Sequence, residues 1–379
     1  MYCHSVFDAL ESKIKSDIQR KQYKAPQLYI HAPTIKHKFE ELKSAFPQYH
    51  IHYAIKANDD EQIISYLGSL GSSFEVASTA ELKKLLKLHI APDRIITSNP
   101  IKTIDFIEHC CAAGINAMAV DSREEALKIK KYHPQAQQYM RLEIENPESE
   151  WPLSDKFGLQ PDEVDDFLLF CKLQKINLCG VTFHAGSQNN SVTSYIAALQ
   201  SVKQVFAKAA EYGFHFHILN LGGGLPVDYT SASTPVAQYA TVIKPIIDSF
   251  DNRAALCVQI EPGRRLVAEA GVMVAKVIGK AMRKQMPMIY INVGVFNGLI
   301  ESIGGIKFSY VIHKTTGKPK RNIILAGPSC DSMDIIDRNV LLPEPDIDDH
   351  IFVLSAGAYT TVYAANFNGH AVPEINFCK

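Results

Sequence analysis

A lysine at the end of a short apolar segment raises the first chemical question. Residues 50–56 read HIHYAIK, and Ile51, Tyr53 and Ile55 alternate with the other side chains. This alternation of β-branched and aromatic residues predicts a β-strand that ends at Lys56. The ordinary explanation is that the ammonium group reaches water there. The chemical explanation is that the amine is a nucleophile.

Other residues that bind ligands or transfer protons also end apolar segments. They are Glu75, Asn99, Asp121, Arg141, His184, the run Gly222, Gly223 and Gly224, and Glu261 with Gly263 and Arg264. Glycine backbones approach a phosphate closely, so the glycine run and the EPGRR segment together predict a phosphate site. The run matches neither the dinucleotide-binding pattern nor a Walker loop.

Eight apolar segments alternate with amphipathic stretches and predict a fold that would gather these residues. The stretches 79–88, 122–132 and 195–213 have helical periodicity. Alternating strands and helices predict a parallel sheet, either a (β/α)8 TIM barrel or a doubly wound sheet. In a barrel, active-site residues lie at the carboxyl ends of the strands, where the residues above are expected.

The alternation of predicted strands and helices ends at about residue 265, and β-rich segments then follow one another without a long helix. We therefore predict a barrel over residues 32–268 and an antiparallel β domain over residues 269–379. Residues 1–31 are predicted to join the β domain through the segment QLYIHA.

The composition excludes several classes of function. The chain has 379 residues, with 39 basic and 40 acidic side chains, which argues against nucleic acid or an anionic membrane as a partner. No apolar stretch approaches the roughly 20 residues that cross a bilayer, and no signal-like segment is evident. Eight cysteines without a CxxC pattern predict reduced thiols, a cytoplasmic location and no metal. The basic run 314–321 is interpreted as a hairpin loop.

A lysine, a carboxylate, a histidine and a phosphate site together suggest pyridoxal 5'-phosphate (PLP). Lys56 would bond to the cofactor aldehyde. Glu261 would keep the pyridine nitrogen protonated, and the flat imidazole of His184 would pack against the ring.

The motifs resemble those of the fold-type III PLP-dependent decarboxylases, which include the ornithine, arginine and diaminopimelate decarboxylases. The resemblance rests on YAIKAND, FEVASTAEL, FHAGSQ, LNLGGGLP, EPGRRLVAEAG, GPSCDSMD and GAYTTVYAANFNG, in this order along the chain. It implies an alanine-racemase-like architecture of barrel plus β domain. It also implies a homodimer whose active sites are shared between subunits.

The resemblance also implies a role for each matched residue. Residues at the cofactor would be Lys56, Glu75, Glu81, Arg141, His184, Ser187, Gly222, Gly223, Gly224, Glu261, Gly263, Arg264 and Tyr359. Cys330 would return a proton to the substrate Cα, and Asp331 would contact the substrate, both from the second subunit. Phe367 and Asn368 match residues near the pocket, although Glu75, Phe367 and Asn368 could equally be packing residues.

The substrate is left open because the family's usual aspartate for a distal amine has no counterpart near Gly304 and Gly305. Glu301 or Asp331 could take its place, which favours ornithine or lysine and a role in polyamine biosynthesis. Alternatively, the glycines admit diaminopimelate, arginine or a larger secondary-metabolite intermediate. An inactive regulatory homologue is disfavoured because Lys56, Glu261 and Cys330 are all present.

Overall fold

The computed structural model describes residues 2–20, 23, 25–144, 149–151, 156–312 and 318–379. The chain divides into two compact units. The barrel unit comprises Phe39–Pro226 and Thr234–Gly263, and the β unit comprises Met1–Lys38, Val227–Ser233 and Arg264–Lys379. The domain boundaries expected from the sequence remain predictions.

The helices and strands are numbered along the chain. The helices are α1 (Tyr2–Arg20), α2 (Ala32–Ala45), α3 (Glu61–Ser69), α4 (Thr79–Lys87), α5 (Ile104–Ala113), α6 (Arg123–Tyr132), α7 (Val164–Leu173), α8 (Val192–Glu211), α9 (Val236–Asp248) and α10 (Arg264–Val267). The strands are β1 (Gln27–His31), β2 (His50–Ala54), β3 (Ser73–Glu75), β4 (Ile95–Ile96), β5 (Ala117–Val120), β6 (Gln137–Arg141), β7 (Ser149–Trp151), β8 (Leu178–Thr182), β9 (Ser187–Asn189), β10 (Ile218–Asn220), β11 (Cys257–Ile260), β12 (Gly271–Arg283), β13 (Met286–Ile291), β14 (Tyr310–Ile312), β15 (Lys320–Ala326), β16 (Ile335–Pro343), β17 (His350–Leu354) and β18 (Glu374–Cys378).

The barrel unit contains an eight-stranded sheet in the order β4-β3-β2-β11-β10-β8-β6-β5. Every neighbouring pair is parallel. A parallel bridge between Thr97 and Met118 joins the two edge strands and closes the barrel. The (β/α)8 prediction is confirmed, and the doubly wound alternative is wrong. Because the strands are parallel, the residues that follow them gather at one end.

Local sequence explains why the helices start shortly after these strands. The Ser78 hydroxyl accepts a hydrogen bond from the backbone N–H of Glu81, and Asp60 caps α3 in the same manner. The Glu81 carboxylate in turn accepts from the N–H of Ala77, the residue before the cap, at 2.6 Å. Such caps satisfy the free N–H groups of a helix start and fix the loops that carry the strand-end residues.

The β unit contains a second eight-stranded sheet. Its main order is β14-β17-β12-β13-β15-β16, β1 pairs with β12, and β18 pairs with β1. Most pairs are antiparallel, as predicted, but β13 with β15 and β1 with β18 are parallel. One face packs against α1, where Phe7 lies 4.9 Å from Phe352 between ring centroids and Ile14 is fully buried.

Two loops considered from the sequence lie partly outside the described residues. The first is the loop at residues 146–156, most of which lies outside the described residues; whether it closes over substrate was left open. The second is the basic run, of which residues 314–317 lie outside the described residues. The hairpin interpretation of that run is wrong, because the flanking strands β14 and β15 pair with other strands. Within the described ranges, no helix is long and apolar enough to span a bilayer.

Candidate active site

Lys56 lies directly after β2, in the short 3-10 turn Ile55–Ala57. Its ammonium nitrogen is 3.4 Å from Oε2 of Glu75, which follows from the parallel pairing of β2 and β3. The Lys56 side chain is 45% exposed, whereas that of Glu75 is 1% exposed. The amine is therefore accessible to a ligand and held beside a buried carboxylate.

Glu261 follows β11 and is buried beside a second acid. The hydroxyl of Ser98 and the Nδ2 amide of Asn220 both donate hydrogen bonds to its Oε1. Burial, followed by the nearby carboxylate of Glu75, raises the pKa of Glu261 to about 7, although Lys56 and the two hydrogen bonds act in the opposite direction. This is the environment of a carboxylate that exchanges a proton near neutral pH.

His184 follows β8 and remains uncharged. Burial, with the positive charges of Arg141 and Lys56, lowers its pKa well below the usual value. Its Nδ1 accepts a hydrogen bond from the N–H of Gly186 at 3.0 Å, which assigns the ring proton to Nε2. A neutral, oriented imidazole is suited to packing against an aromatic ring.

The glycine run packs its backbone against the loop between β8 and β9. A Cβ on Gly222 would lie 2.1 Å from the carbonyl oxygen of Phe183, and a Cβ on Gly224 would lie 2.3 Å from that of Gly186. Gly222 and Gly224 also have φ values of 63° and 109°, which glycine adopts without strain. Among the described residues, the N–H groups of Gly223 and Gly224 donate to no protein acceptor. A cradle without side chains that presents free N–H donors fits a phosphate group.

The other matched residues of the barrel unit lie near these groups. Arg141 ends β6, and its guanidinium lies 5.1 Å from the ring centroid of Phe157. Burial lowers the pKa of Arg141, and Glu261, Asp121 and Glu75 oppose that effect. Ser187 begins β9.

Arg264 forms a buried cluster in the β unit. Its Nη1 and Nη2 donate to the two carboxylate oxygens of Glu301 at 2.7 and 2.6 Å. Nη1 also donates to the hydroxyl of Tyr229, and the guanidinium carbon lies 4.8 Å from the ring centroid of Tyr359. Glu301 therefore neutralises Arg264 through a two-pronged ion pair.

Cys330 and Asp331 lie on an exposed loop of the β unit. The Oδ1 of Asn368 accepts hydrogen bonds from the backbone N–H of Cys330 at 3.2 Å and from its thiol at 3.3 Å. The buried carboxylate of Asp334 fixes the start of the loop by accepting from the N–H of Ser329 at 2.8 Å. The thiol is thus exposed and oriented.

The structure brings the predicted residues together as separate groups within each unit. In the barrel unit these are Lys56, Glu75, Arg141, His184, Gly223 and Glu261. In the β unit, one group consists of Arg264, Glu301 and Tyr359, and a second consists of Cys330 and Asn368. The ring of Phe367 packs on that of Phe296, with 4.9 Å between the ring centroids. Sequence reasoning missed Ser98, Tyr139, Asn220, Tyr229 and Asp334. Ser98 and Asn220 could have been found, because they too stand at the ends of predicted strands.

Comparison with known proteins agrees with this chemistry. Residues 32–268 match the family described as "Pyridoxal-dependent decarboxylase, pyridoxal binding domain". The chain belongs to this family. It is therefore a PLP-dependent amino-acid decarboxylase, and the barrel and cofactor predictions are confirmed.

Individual relatives align with 87–97% of this decarboxylase chain. An ornithine decarboxylase of Schizosaccharomyces pombe is 31% identical over 342 residues, which is 87% of this chain and 78% of that protein. The arginine decarboxylase of Paramecium bursaria Chlorella virus superposes with a TM-score of 0.91 at 27% identity, covering 97% of this chain and 100% of that one. A lysine/ornithine decarboxylase from Vibrio vulnificus, complexed with cadaverine, superposes with a TM-score of 0.89 at 28% identity. The superposition covers 97% of this chain and 98% of that one.

Proposed function

We propose that this decarboxylase acts on a basic diamino acid, ornithine or lysine, and releases CO2 and the corresponding diamine. The single observation that carries the proposal is the exposure of Asp331, whose carboxylate follows the exposed Cys330 thiol in the chain. The similarity to ornithine and lysine/ornithine decarboxylases supports the same substrate class. A role in polyamine biosynthesis follows from this proposal.

Asp331 is the better candidate for the distal ammonium of the substrate. The sequence offered Glu301 as the other acid, but both Glu301 oxygens accept from Arg264 and the residue is 7% exposed. A carboxylate already neutralised by a buried guanidinium attracts a second cation weakly. Asp331 is exposed and can form a charge-assisted hydrogen bond with an ammonium group.

The chemistry of each side chain suggests its role in the proposed reaction. When bound, PLP supplies the electron sink that accepts the electrons left behind by CO2. Lys56 would supply the amine that attaches the cofactor, Glu261 would hold its ring nitrogen, and the N–H groups of Gly223 and Gly224 would hold its phosphate. The neutral His184 would pack against its ring. The remaining residues predicted at the cofactor stay predictions; they are Glu75, Arg141, Ser187, Gly263, Arg264 and Tyr359.

The Cys330 thiol would complete the reaction by giving its proton to the substrate Cα. Asn368 orients the thiol for this transfer because its Oδ1 accepts from both the thiol and the backbone N–H. The exposure of Cys330 and Asp331 supports a homodimer in which the second subunit contributes them. The cytoplasmic location remains a prediction.

A second candidate substrate class is favoured by the segment at Gly304 and Gly305. Both glycines are exposed, and a Cβ on Gly305 would meet no atom within 4 Å. Such open space suits a substrate whose side chain is larger or carries no positive charge. The candidates are diaminopimelate, arginine and a secondary-metabolite intermediate.

The test is CO2 release from ornithine, lysine, arginine and meso-diaminopimelate by the PLP-loaded enzyme and its Asp331→Asn variant. Loss of a hydrogen bond to a charged group, worth about 1.5–3 kcal/mol, predicts that kcat/KM for ornithine or lysine falls about ten- to a hundredfold. Asp348→Asn is the matched control, since Asp348 is an exposed aspartate of the β unit that pairs with Lys276. Turnover of neither ornithine nor lysine would refute the proposal in favour of the second class.

A further inference from the structure

Glu261 is held by a hydrogen-bond network that reaches across the barrel end. Ser98 follows β4, Asn220 ends β10 and Glu261 follows β11, so the three residues come from three loops or strand ends. All three are largely buried, at 8%, 0% and 5% exposure. A buried carboxylate remains ionised only if hydrogen bonds and charges replace its hydration.

The network has a defined direction. Ser98 has one hydroxyl proton, and the geometry directs it to Oε1 of Glu261. The Ser98 oxygen is then an acceptor for the hydroxyl of Tyr139, which lies 2.8 Å away, is fully buried and also donates to the carbonyl oxygen of Thr97 at 3.1 Å. Burial raises the pKa of Tyr139 well above its usual value, so this phenol keeps its proton.

Both donors bind the same carboxylate oxygen. Asn220 Nδ2 donates to Oε1, while its Oδ1 accepts from the N–H of Gly222 at 2.8 Å. Asn220 therefore links the acid to the glycine cradle. Among the described residues, Oε2 of Glu261 accepts no hydrogen bond, which leaves this oxygen for a ligand.

Ser98 also stands between the two acids of the barrel unit. Its backbone N–H lies 3.5 Å from Oε1 of Glu75, while its side chain donates to Glu261. The other charged or titratable groups that act on Glu261 are Lys56, Arg141 and Tyr139. Glu75 and burial favour a neutral Glu261, whereas Ser98, Asn220 and Lys56 favour the carboxylate.

We propose that Ser98 and Asn220 are positioning residues that keep Glu261 ionised and direct its free Oε2 toward the ring nitrogen of PLP. The proposal rests on the role of Glu261 in the proposed function. It adds a reason why an acid so deeply buried beside Glu75 can serve that role. It also assigns a task to two side chains that were not predicted from the sequence.

The first experiment needs neither cofactor nor substrate. Infrared difference spectroscopy of the cofactor-free protein would follow the protonated carboxyl band of Glu261 with pH, and Glu261→Gln would assign that band. The wild-type midpoint is expected near the pKa of about 7. Ser98→Ala removes one hydrogen bond to the charged form and should raise the midpoint by about one unit.

Two further variants make this result decisive. Ser98→Val fills the vacated space with methyl groups that exclude water, and the same upward shift is expected. Ser72→Ala is the matched control, because Ser72 is a fully buried serine of the barrel unit whose hydroxyl donates to the carbonyl of Ser73 at 2.8 Å. Unshifted midpoints in both Ser98 variants, equal to that of Ser72→Ala, would overturn the proposal.

A second readout links the midpoint to catalysis. With PLP bound, the acidic limb of the kcat profile should move to higher pH in Ser98→Ala by about one unit, with any substrate that the enzyme turns over. A merely structural role would lower kcat at all pH values without moving the limb, which would also overturn the proposal. An incorrect substrate assignment would leave the infrared result unchanged, so the two failures are distinguishable.

Discussion

The buried ion pair between Glu301 and Arg264 gives a sharp test of the β unit. Glu301→Ala removes the carboxylate but leaves the guanidinium, which is 4% exposed, without its counter-charge. Breaking one partner of a buried pair costs about 3–5 kcal/mol, because the remaining charge stays desolvated. For a unit of this size, each kcal/mol lowers Tm by about 2–4 °C, so a decrease of about 6–20 °C is expected.

The assay is thermal and urea unfolding of the cofactor-free protein, followed by circular dichroism. Glu11→Ala is the matched control, since Glu11 pairs with Lys15 at 2.8 Å on the exposed face of α1. A surface pair of this kind contributes about 0–1 kcal/mol. Replacing both partners, in Arg264→Met with Glu301→Leu, should recover much of the lost stability. Equal losses in Glu301→Ala and Glu11→Ala would refute the ion-pair reasoning.

Three further predictions concern the barrel unit. Lys56→Ala should abolish the covalent absorption band of bound PLP and lower kcat by several orders of magnitude, while far-ultraviolet circular dichroism stays unchanged because the side chain is half exposed; an intact band would contradict its role. Gly222→Ala should weaken PLP binding at least tenfold in an equilibrium titration, because the new Cβ would lie 2.1 Å from the carbonyl oxygen of Phe183; unchanged affinity would show that the cradle tolerates a side chain. Burial, followed by the charge of His50, lowers the pKa of His52 to about 3. The unfolded chain takes up the proton below about pH 6.5 and the folded protein does not, so stability falls as the pH decreases through this window, by about 2 kcal/mol at pH 5. Urea unfolding of His52→Gln should show a flatter pH dependence, and an unchanged slope would contradict the assignment.

Much of the site was predictable because it is encoded locally. The alternation of apolar residues marks each barrel strand, and polar residues such as Lys56, His184 and Glu261 mark where the strands end. Parallel strands in a closed barrel bring their carboxyl ends together whatever the intervening helices contain. Glycine runs are equally readable, since Gly222 and Gly224 adopt backbone conformations that few other residues accept.

The partners of these residues were not predictable. Ser98 and Glu261 are 163 positions apart, and their hydrogen bond exists only because β4 and β11 end at the same rim. Glu301 was interpreted from the sequence as an acid available to substrate, yet the fold supplies it with Arg264. Pairing between β13 and β15 is parallel although these strands are near neighbours in sequence.

The sequence by itself therefore determined the strand and helix periods, the barrel and the chemical types at its rim. These properties depend on residues close in the chain, whose spacing reflects the geometry of a single strand or helix. Only the tertiary structure decided which carboxylates are neutralised, which are held ionised and which remain exposed. Charge states depend on burial and on partners distant in sequence, and a pattern of residue types records neither.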